Sequence, residues 1–407
     1  SITLEVTAWD CLNDPTGITD WDGDGYTVCE GDCDDLDSSV GGWDRTTSGW
    51  MRNACNPVLP VQPSESFADQ RIQPEQPVHD GEVLRSWVSY HDGSEWRFGY
   101  AQSPDGTHWH LDHEGAPVRF WPSASLEMGA SGEWDDGGIW ANCPVEDWNG
   151  DIKMYYSGGD GATWRIGAAD SVDWQTLERN PASPVLDLGN AGYFDDAHVY
   201  DPAVLYDGFS YHMWYGGNNG SGSINIGYAG STDGENWTRV SQNAVLTTGY
   251  YTWDHYYVFG PTVAPTDDGY VMAYQGYYSS YKLGLAFSED GENWTKGAKN
   301  PLPLGTSGAW DDYTMSSPAI HWDGTDLHLW YAGCGSYGCT EYATGYMINR
   351  WPETEITSPG EGDSFAQGSV IQFSALASDY AALDSLDAVF TDTWGNVLDS
   401  SNPDVLG

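Results

Sequence analysis

The chain has 407 residues, and its 14 Lys and Arg against 61 Asp and Glu give a formal net charge of −47. Nucleic acids and anionic membranes are bound through clustered basic residues, so this charge excludes a general binder of either class. Aromatic residues make up 14% of the chain, which excludes a disordered polyanion, and no apolar run reaches the ~20 residues of a membrane-spanning helix. With 50 Gly, 21 Pro and no long helical period, the sequence predicts an all-β fold.

Residues 1–9 predict an isolated β-strand. Apolar and polar residues alternate, so that Ile2, Leu4 and Val6 share one face of the strand. No neighbouring segment supplies an obvious partner strand. We therefore expect this strand to pair with a distant part of the chain or with another molecule.

Residues 10–49 form an Asp-rich segment that is typical of calcium binding. Asp20, Asp22 and Asp24 occupy positions 1, 3 and 5 of an EF-hand-like loop, Gly25 follows at position 6, and Tyr26 offers its carbonyl at position 7. A second acidic turn supplies further carboxylates: Asp32, Asp34, Asp35 and Asp37. The segment resembles the calcium repeats of thrombospondin type 3 and dockerin modules, which implies bound Ca²⁺ as the cofactor. The alternative is a solvated acidic linker.

Six of the seven cysteines predict disulfide bonds, with Cys143 left over because it lies inside a repeat. Cys334 and Cys339 are spaced for a bridge across a short turn, and the others cluster near the N-terminus: Cys11, Cys29, Cys33 and Cys55. Disulfides indicate an oxidising compartment, so we expect a secreted or cell-surface protein. The alternative is a set of unpaired structural thiols.

Residues 50–352 contain five copies of two motifs. The first is a turn of the form Ser-x-Asp-Gly-x-x-Trp, whose closing tryptophans, with the degenerate copies, fall at 109, 174, 237, 294 and 351. The second motif is an aromatic residue followed by acidic residues. It lies shortly before a proline, and these prolines fall at 77, 144, 202, 261 and 318. Each unit also holds about four short alternating segments, which predicts one propeller blade. The sequence therefore predicts a five-bladed β-propeller in which the turn tryptophans pack between blades.

This propeller resembles the five-bladed glycosidases of the arabinanase, xylosidase and fructosidase type. The resemblance implies carboxylates on the inner strands, facing the central channel, because glycoside hydrolysis needs two of them. The residues directly before the inner-strand prolines are Gln76, Cys143, Asp201, Gly260 and Ser317. Only Asp201 is acidic, so it is a weak catalytic candidate, and we expect no efficient hydrolysis. The Trp-Asp-Asp pairs recur in most blades, which predicts a structural role for them.

Residues 353–407 resemble the first part of a bacterial Ig-like sandwich without its final strands. Residues 1–9 resemble the missing final strand, which predicts head-to-tail strand complementation between subunits. Such contacts do not close and would form a filament. The alternative is a fragment of a longer tandem protein.

We therefore expect a secreted or cell-surface, calcium-stabilised structural protein that binds copies of itself and displays a propeller. Aromatic loops at 250–257 and 277–281 suggest glycan binding by that propeller, although blade packing would also explain them. The alternative function is a glycosidase-like enzyme acting on extracellular polysaccharide.

Overall fold

The structure is a computed structural model that describes residues 43–45, most of residues 50–350, and four short strands between 355 and 398. Within 50–350 the residues outside this description are 54–55, 60–70, 74, 80–82, 92–95, 108, 110–125, 127, 148, 172–173, 175 and 336–341. The described chain is all-β and forms the five-bladed propeller that the repeats predict. Among the described residues no helix is long and apolar enough to cross a bilayer.

The strands follow the repeats in chain order. Two strands precede the first blade: β1 (Trp43–Arg45) and β2 (Trp50–Asn53). Blade 1 contains β3 (Arg71–Gln73), β4 (Val78–His79), β5 (Leu84–His91) and β6 (Trp96–Ser103). Blade 2 contains β7 (Gly138–Glu146), β8 (Ile152–Gly159), β9 (Trp164–Ser171) and β10 (Glu178–Arg179). Blade 3 contains β11 (His198–Tyr206), β12 (Tyr211–Asn218), β13 (Asn225–Ser231) and β14 (Thr238–Arg239).

The last two blades keep the same order. Blade 4 contains β15 (Tyr257–Thr266), β16 (Gly269–Tyr277), β17 (Tyr281–Ser288) and β18 (Thr295–Lys296). Blade 5 contains β19 (Thr314–Trp322), β20 (Asp326–Cys334) and β21 (Ala343–Arg350). The first strands of blades 2 to 5 contact one another in sequence, so they line the channel.

The ring of blades is closed by the N-terminal strand β2. It pairs antiparallel with β21 and so supplies the fourth strand of blade 5, with β1 paired at its outer edge. Trp50 is fully buried there, packed with Leu302 and Met315. One blade therefore combines strands from both ends of the propeller, which ties those ends together.

The repeated Ser-x-Asp-Gly-x-x-Trp turns dock each blade on its neighbour. In blade 3, Ser231 Oγ accepts the Gly234 N–H at 2.9 Å, and Gly234 has a φ of +72° that favours glycine. The carbonyl of Gly234 accepts the Tyr155 hydroxyl of blade 2 at 2.9 Å, and Trp237 packs edge-on to Tyr155. Equivalent contacts join Trp214 to Gly291 and Trp330 to Gly106, each at 2.7 Å. The predicted packing between blades is confirmed for four of the turn tryptophans, Trp109, Trp174, Trp237 and Trp294, and Trp351 lies outside the described residues.

The recurring Asp pairs are structural, as their repetition predicts. The first Asp is buried and accepts hydrogen bonds from a Tyr on the second strand and a cation on the fourth strand of the same blade. In blade 3, Asp195 accepts the Tyr215 hydroxyl at 2.8 Å and the Arg239 Nε at 2.6 Å. The same arrangement joins Asp135 to Tyr156 and Arg179. In blade 5 the cation is Arg52, from the closing strand β2.

Several sequence predictions fall outside the described residues. These are the strand at 1–9, the calcium ligands between 20 and 37, and five of the cysteines: Cys11, Cys29, Cys33, Cys55 and Cys339. Beyond the propeller the structure describes only two short pairs, β22 (Glu355–Ser358) with β23 (Ser374–Leu376), and β24 (Phe390–Thr391) with β25 (Val397–Leu398). Within the described part, Cys334 is disulfide-bonded and Cys143 is a buried free thiol.

Candidate active site in the propeller channel

The inner strands break their ladders at one equivalent position, and these breaks shape the channel. In blades 3, 4 and 5 the residues are Asp201, Gly260 and Ser317, with φ values of +50°, +55° and +46°. Each lies at a register shift directly before a proline, where the chain bulges away from the second strand. All three line one small cleft of about 40 Å³.

In blade 2 the inner strand breaks two residues earlier, relative to its proline, than the inner strands of blades 3, 4 and 5. Its left-handed residue is Ala141, with a φ of +44°, and the register shifts between Trp140 and Asn142. Ala141 follows Asp135 by the same interval that separates Asp201 from Asp195. The prediction that Cys143 holds the equivalent channel position is therefore wrong. Cys143 is only 1% exposed and packs in the hydrophobic core between blades 2 and 3, where its sulfur accepts the Val204 N–H at 3.2 Å.

Blade 1 breaks its inner strand completely, and the break carries a second carboxyl group. Strands β3 and β4 both pair with β5, and Glu75 lies between them, in a segment whose prolines at 74 and 77 cannot donate to a ladder. The Ser89 hydroxyl donates to Glu75 Oε1, and the Ser86 hydroxyl donates to the Glu75 carbonyl at 3.0 Å. Glu75 lines the cleft together with Asp201. Alignment on the residue directly before the proline selects Gln76 and misses this glutamate.

The pKa values of both carboxyls are raised. Burial raises the pKa of Glu75 well above its usual range, against hydrogen bonds from Ser89 and the Asn142 backbone, and the charge of Asp201 raises it further. Burial raises the pKa of Asp201 to about 7, with the Gly260 backbone acting in the opposite direction. Burial disfavours the charge on both carboxyls, and the charge of either one opposes ionisation of the other. The pair can therefore hold one acid and one base near neutral pH.

Unpaired polar atoms face this cleft. Asp201 is 5% exposed, and apart from the Gly260 backbone that lowers its pKa, its carboxyl oxygens have no hydrogen-bond partner among the described residues. Its N–H donates to Ser157 Oγ at 2.8 Å. The side-chain amide of Asn142 is 3% exposed and also has no partner within the described part of the chain. Buried polar groups are usually paired, so these atoms are available to a ligand.

Gln76, unlike its neighbour Glu75, makes hydrogen bonds to another blade. Its Nε2 donates to the Val263 carbonyl at 3.0 Å, and its Oε1 accepts the Thr262 hydroxyl at 3.1 Å. These bonds tie blade 1 to blade 4 across the channel.

In the part of the chain that the structure describes, no group of His, Cys, Asp or Glu could hold a metal ion. The described lining of the cleft offers two carboxyls and several neutral amides.

Comparison with known proteins finds relatives in sequence and neighbours in fold. No protein-family profile matches the sequence. An uncharacterized protein of Mycobacterium tuberculosis is 29% identical over 236 residues, covering 55% of this chain and 76% of that protein. A β-1,2-mannobiose phosphorylase of Thermoanaerobacter sp. is 25% identical over 135 residues, covering 29% of this chain and 44% of that protein.

Solved structures share the propeller. A glycosyl hydrolase from Bacteroides ovatus aligns with a TM-score of 0.53 and 18% identity, over 76% of this chain and 93% of its own. A thermostable family-43 glycoside hydrolase aligns with a TM-score of 0.51 and 18% identity, over 77% of this chain and 99% of its own. At this identity the structural likeness shows the fold.

The prediction of a structural protein that forms filaments is wrong. The characterised proteins that share sequence or fold with this propeller are a β-1,2-mannobiose phosphorylase and glycoside hydrolases. The channel also holds the second carboxyl that the proline alignment missed.

Proposed function

We propose that the protein cleaves glycosidic bonds of an extracellular carbohydrate in the channel cleft. The observation that carries this proposal is the pair of raised-pKa carboxyls, Glu75 and Asp201, on one cleft. Glycoside cleavage needs one carboxylic acid to protonate the leaving oxygen and one carboxylate to attack the sugar or to activate water. We assign the acid to Glu75, whose pKa is raised by burial and by the charge of Asp201, and the carboxylate to Asp201.

Hydrolysis fits this cleft better than phosphorolysis. Apart from Glu75 and Asp201, the residues that line the described cleft are neutral, among them Gln73, Asn142 and Gln275. A phosphate ion would enter beside a carboxylate with no positive charge from these residues to offset the repulsion. Water meets no such penalty, so we expect it to be the acceptor.

The substrate is a neutral carbohydrate, since a net charge of −47 repels polyanions. The Asn142 amide supplies an unpaired donor and acceptor for sugar hydroxyls in the cleft. The disulfide at Cys334 supports an oxidising, extracellular location. Arabinan, xylan, fructan and β-mannan are the neutral polymers to test, the last because one relative is named for a mannobiose.

The experiment measures release of reducing sugar from each polymer, with and without added phosphate. Turnover should fall by at least about 100-fold in Asp201→Asn and in Glu75→Gln, as expected when a general acid or base is removed. Asp268→Asn and Glu292→Gln are matched controls, because both residues are exposed in turns outside the cleft. Turnover that survives in Asp201→Asn, or that requires phosphate, would overturn the proposal.

A further inference from the structure

One turn recurs before the inner strands, and blade 4 departs from it. In blades 2, 3 and 5 its second residue is a glycine with positive φ, at +96° in Gly132, +92° in Gly192 and +93° in Gly308. Each glycine N–H donates to the carboxylate of the Asp four residues later, at 2.6 to 2.7 Å. Blade 4 builds the same turn from Tyr251, with a φ of +54°, whose N–H donates to Nδ1 of His255 at 3.1 Å.

This replacement strains the backbone, and it leaves the new side chain largely exposed. A bulky side chain in the left-handed region is a genuine outlier, because its Cβ approaches the following carbonyl. Tyr251 is nevertheless 68% exposed, and the adjacent Tyr250 is 82% exposed. Strain of this kind is kept where the surface has a function. The tyrosine pair therefore needs an explanation outside folding stability.

The two tyrosines begin a continuous row of rings that leads toward the cleft. Tyr251 stacks on His255 with centroids 5.1 Å apart and planes 10° apart, and His255 contacts Tyr256 at 4.9 Å and Tyr278 at 5.5 Å. We call this row the aromatic ridge; its members are Tyr250, Tyr251, His255, Tyr256, Tyr278, Tyr257, Tyr277, Tyr281 and Phe259.

The inner end of the aromatic ridge lies on the inner strand of blade 4 and the strands that follow it. Tyr257 stacks on Tyr277 at 5.3 Å, Tyr277 meets Tyr281 at 4.8 Å, and Tyr281 meets Phe259 at 6.0 Å. Phe259 directly precedes Gly260, which lines the cleft. The ridge thus runs from the exposed rim of blade 4 to the inner strand that carries Gly260.

A hollow of about 530 Å³ opens beside the outer end of the ridge. Blade 3 contributes Ser221 and Ser223 to it, and blade 4 contributes Thr248, Tyr250 and Tyr256. Hydroxyl groups beside exposed aromatic faces match a sugar ring, which has an apolar face and a polar edge. The surroundings are uncharged except for one imidazole, and the whole protein is strongly acidic, so a neutral sugar fits this surface better than an acidic one.

We propose that the aromatic ridge and the adjoining hollow form a second binding site for a neutral polysaccharide chain. Sugar units remote from the reacting bond would stack on Tyr250 and Tyr251 while the chain runs along the ridge toward Gly260. The proposal rests on the proposed function only for the use of the cleft, since binding at the ridge needs no catalysis.

The test restores the common turn in blade 4. The variant Y250S/Y251G/H255D carries the residues that blade 2 has at the same positions, Ser131, Gly132 and Asp136. Binding of soluble mannan, arabinan, xylan and fructan is measured by affinity electrophoresis, in the wild type and in Asp201→Asn, where the polymer is not consumed. Phe209→Ala is the control, because that aromatic ring is 87% exposed on a turn away from the ridge.

We expect at least one polymer to bind, and the turn replacement to weaken that binding by about tenfold or more through loss of two stacking rings. The melting temperature should stay the same or rise, since the strained residue becomes glycine, and Phe209→Ala should bind as the wild type does. Equal binding by the turn replacement, equal loss in Phe209→Ala, or no binding of any of the four polymers would overturn the proposal. Ridge-dependent binding in a protein without turnover would support the ridge while overturning the proposed activity.

Discussion

Asp201→Asn should stabilise the protein at alkaline pH and leave its stability unchanged in acid. Burial raises the pKa of the Asp201 carboxyl from 3.8 to about 7, so the folded state holds that proton more tightly than the unfolded chain. The stability that the proton contributes is fully present below about pH 4 and is lost as the pH rises through about 7. Asparagine stays neutral throughout and also tolerates the left-handed φ of +50° at this position.

The magnitude follows from the shift in pKa. A change from 3.8 to about 7 is about three units, and each unit corresponds to 1.36 kcal/mol, so the carboxylate form costs up to about 4 kcal/mol. Asp201 is 5% exposed, so solvent screening removes little of this cost. The difference in unfolding free energy between Asp201→Asn and wild type should therefore grow from near zero at about pH 4 to about 4 kcal/mol at about pH 8.

The assay is urea unfolding followed by tryptophan fluorescence at several pH values, with Asp268→Asn as the exposed control. Only differences between variants are compared, so the titration of groups that do not interact with Asp201 cancels. A difference that stays constant from about pH 4 to about pH 8 would refute the argument. Such a result would mean that the Asp201 carboxylate is not buried at a cost.

Three other predictions follow from the same contacts. The kcat/KM for polysaccharide should fall tenfold per pH unit below about 7 as Asp201 gains its proton; a flat acid limb would contradict its role as the carboxylate. Gly106→Ala places a Cβ 2.6 Å from Trp330 Cζ2 at a φ of +79°, whereas the Cβ of Gly208→Ala meets nothing within 4 Å. In chemical unfolding, the free energy of unfolding should therefore fall by at least about 1 kcal/mol more in Gly106→Ala than in Gly208→Ala. Equal losses would mean that the turn does not dock on the neighbouring blade. We also propose that residues 10–49 bind Ca²⁺, so a chelator should expose residues 10–45 to protease before the propeller melts, and an unchanged cleavage pattern would contradict this.

The sequence by itself determined the architecture of the propeller. The Ser-x-Asp-Gly-x-x-Trp turns and the recurring Asp pairs are local hydrogen-bond motifs, so each copy predicts its own geometry, and their spacing counts the blades. Repetition also identified Asp195 and its equivalents as structural. The structure bears this out through their bonds to a Tyr and a cation of the same blade.

Only the tertiary structure decided the composition of the site. Glu75 lies in a break between two half-strands, and blade 2 bulges at Ala141, so the proline that marks the inner strand does not mark the channel residue. The closing strand β2 and the pKa of Asp201 likewise depend on groups far apart in sequence. The filament prediction failed because it rested on two terminal segments alone, and strand pairing between distant segments is not encoded in their local pattern. Local motifs determine the features that repeat in every blade. Burial, and the packing of strands that are distant in sequence, determine the features that occur once in the channel, and the catalytic groups are among these.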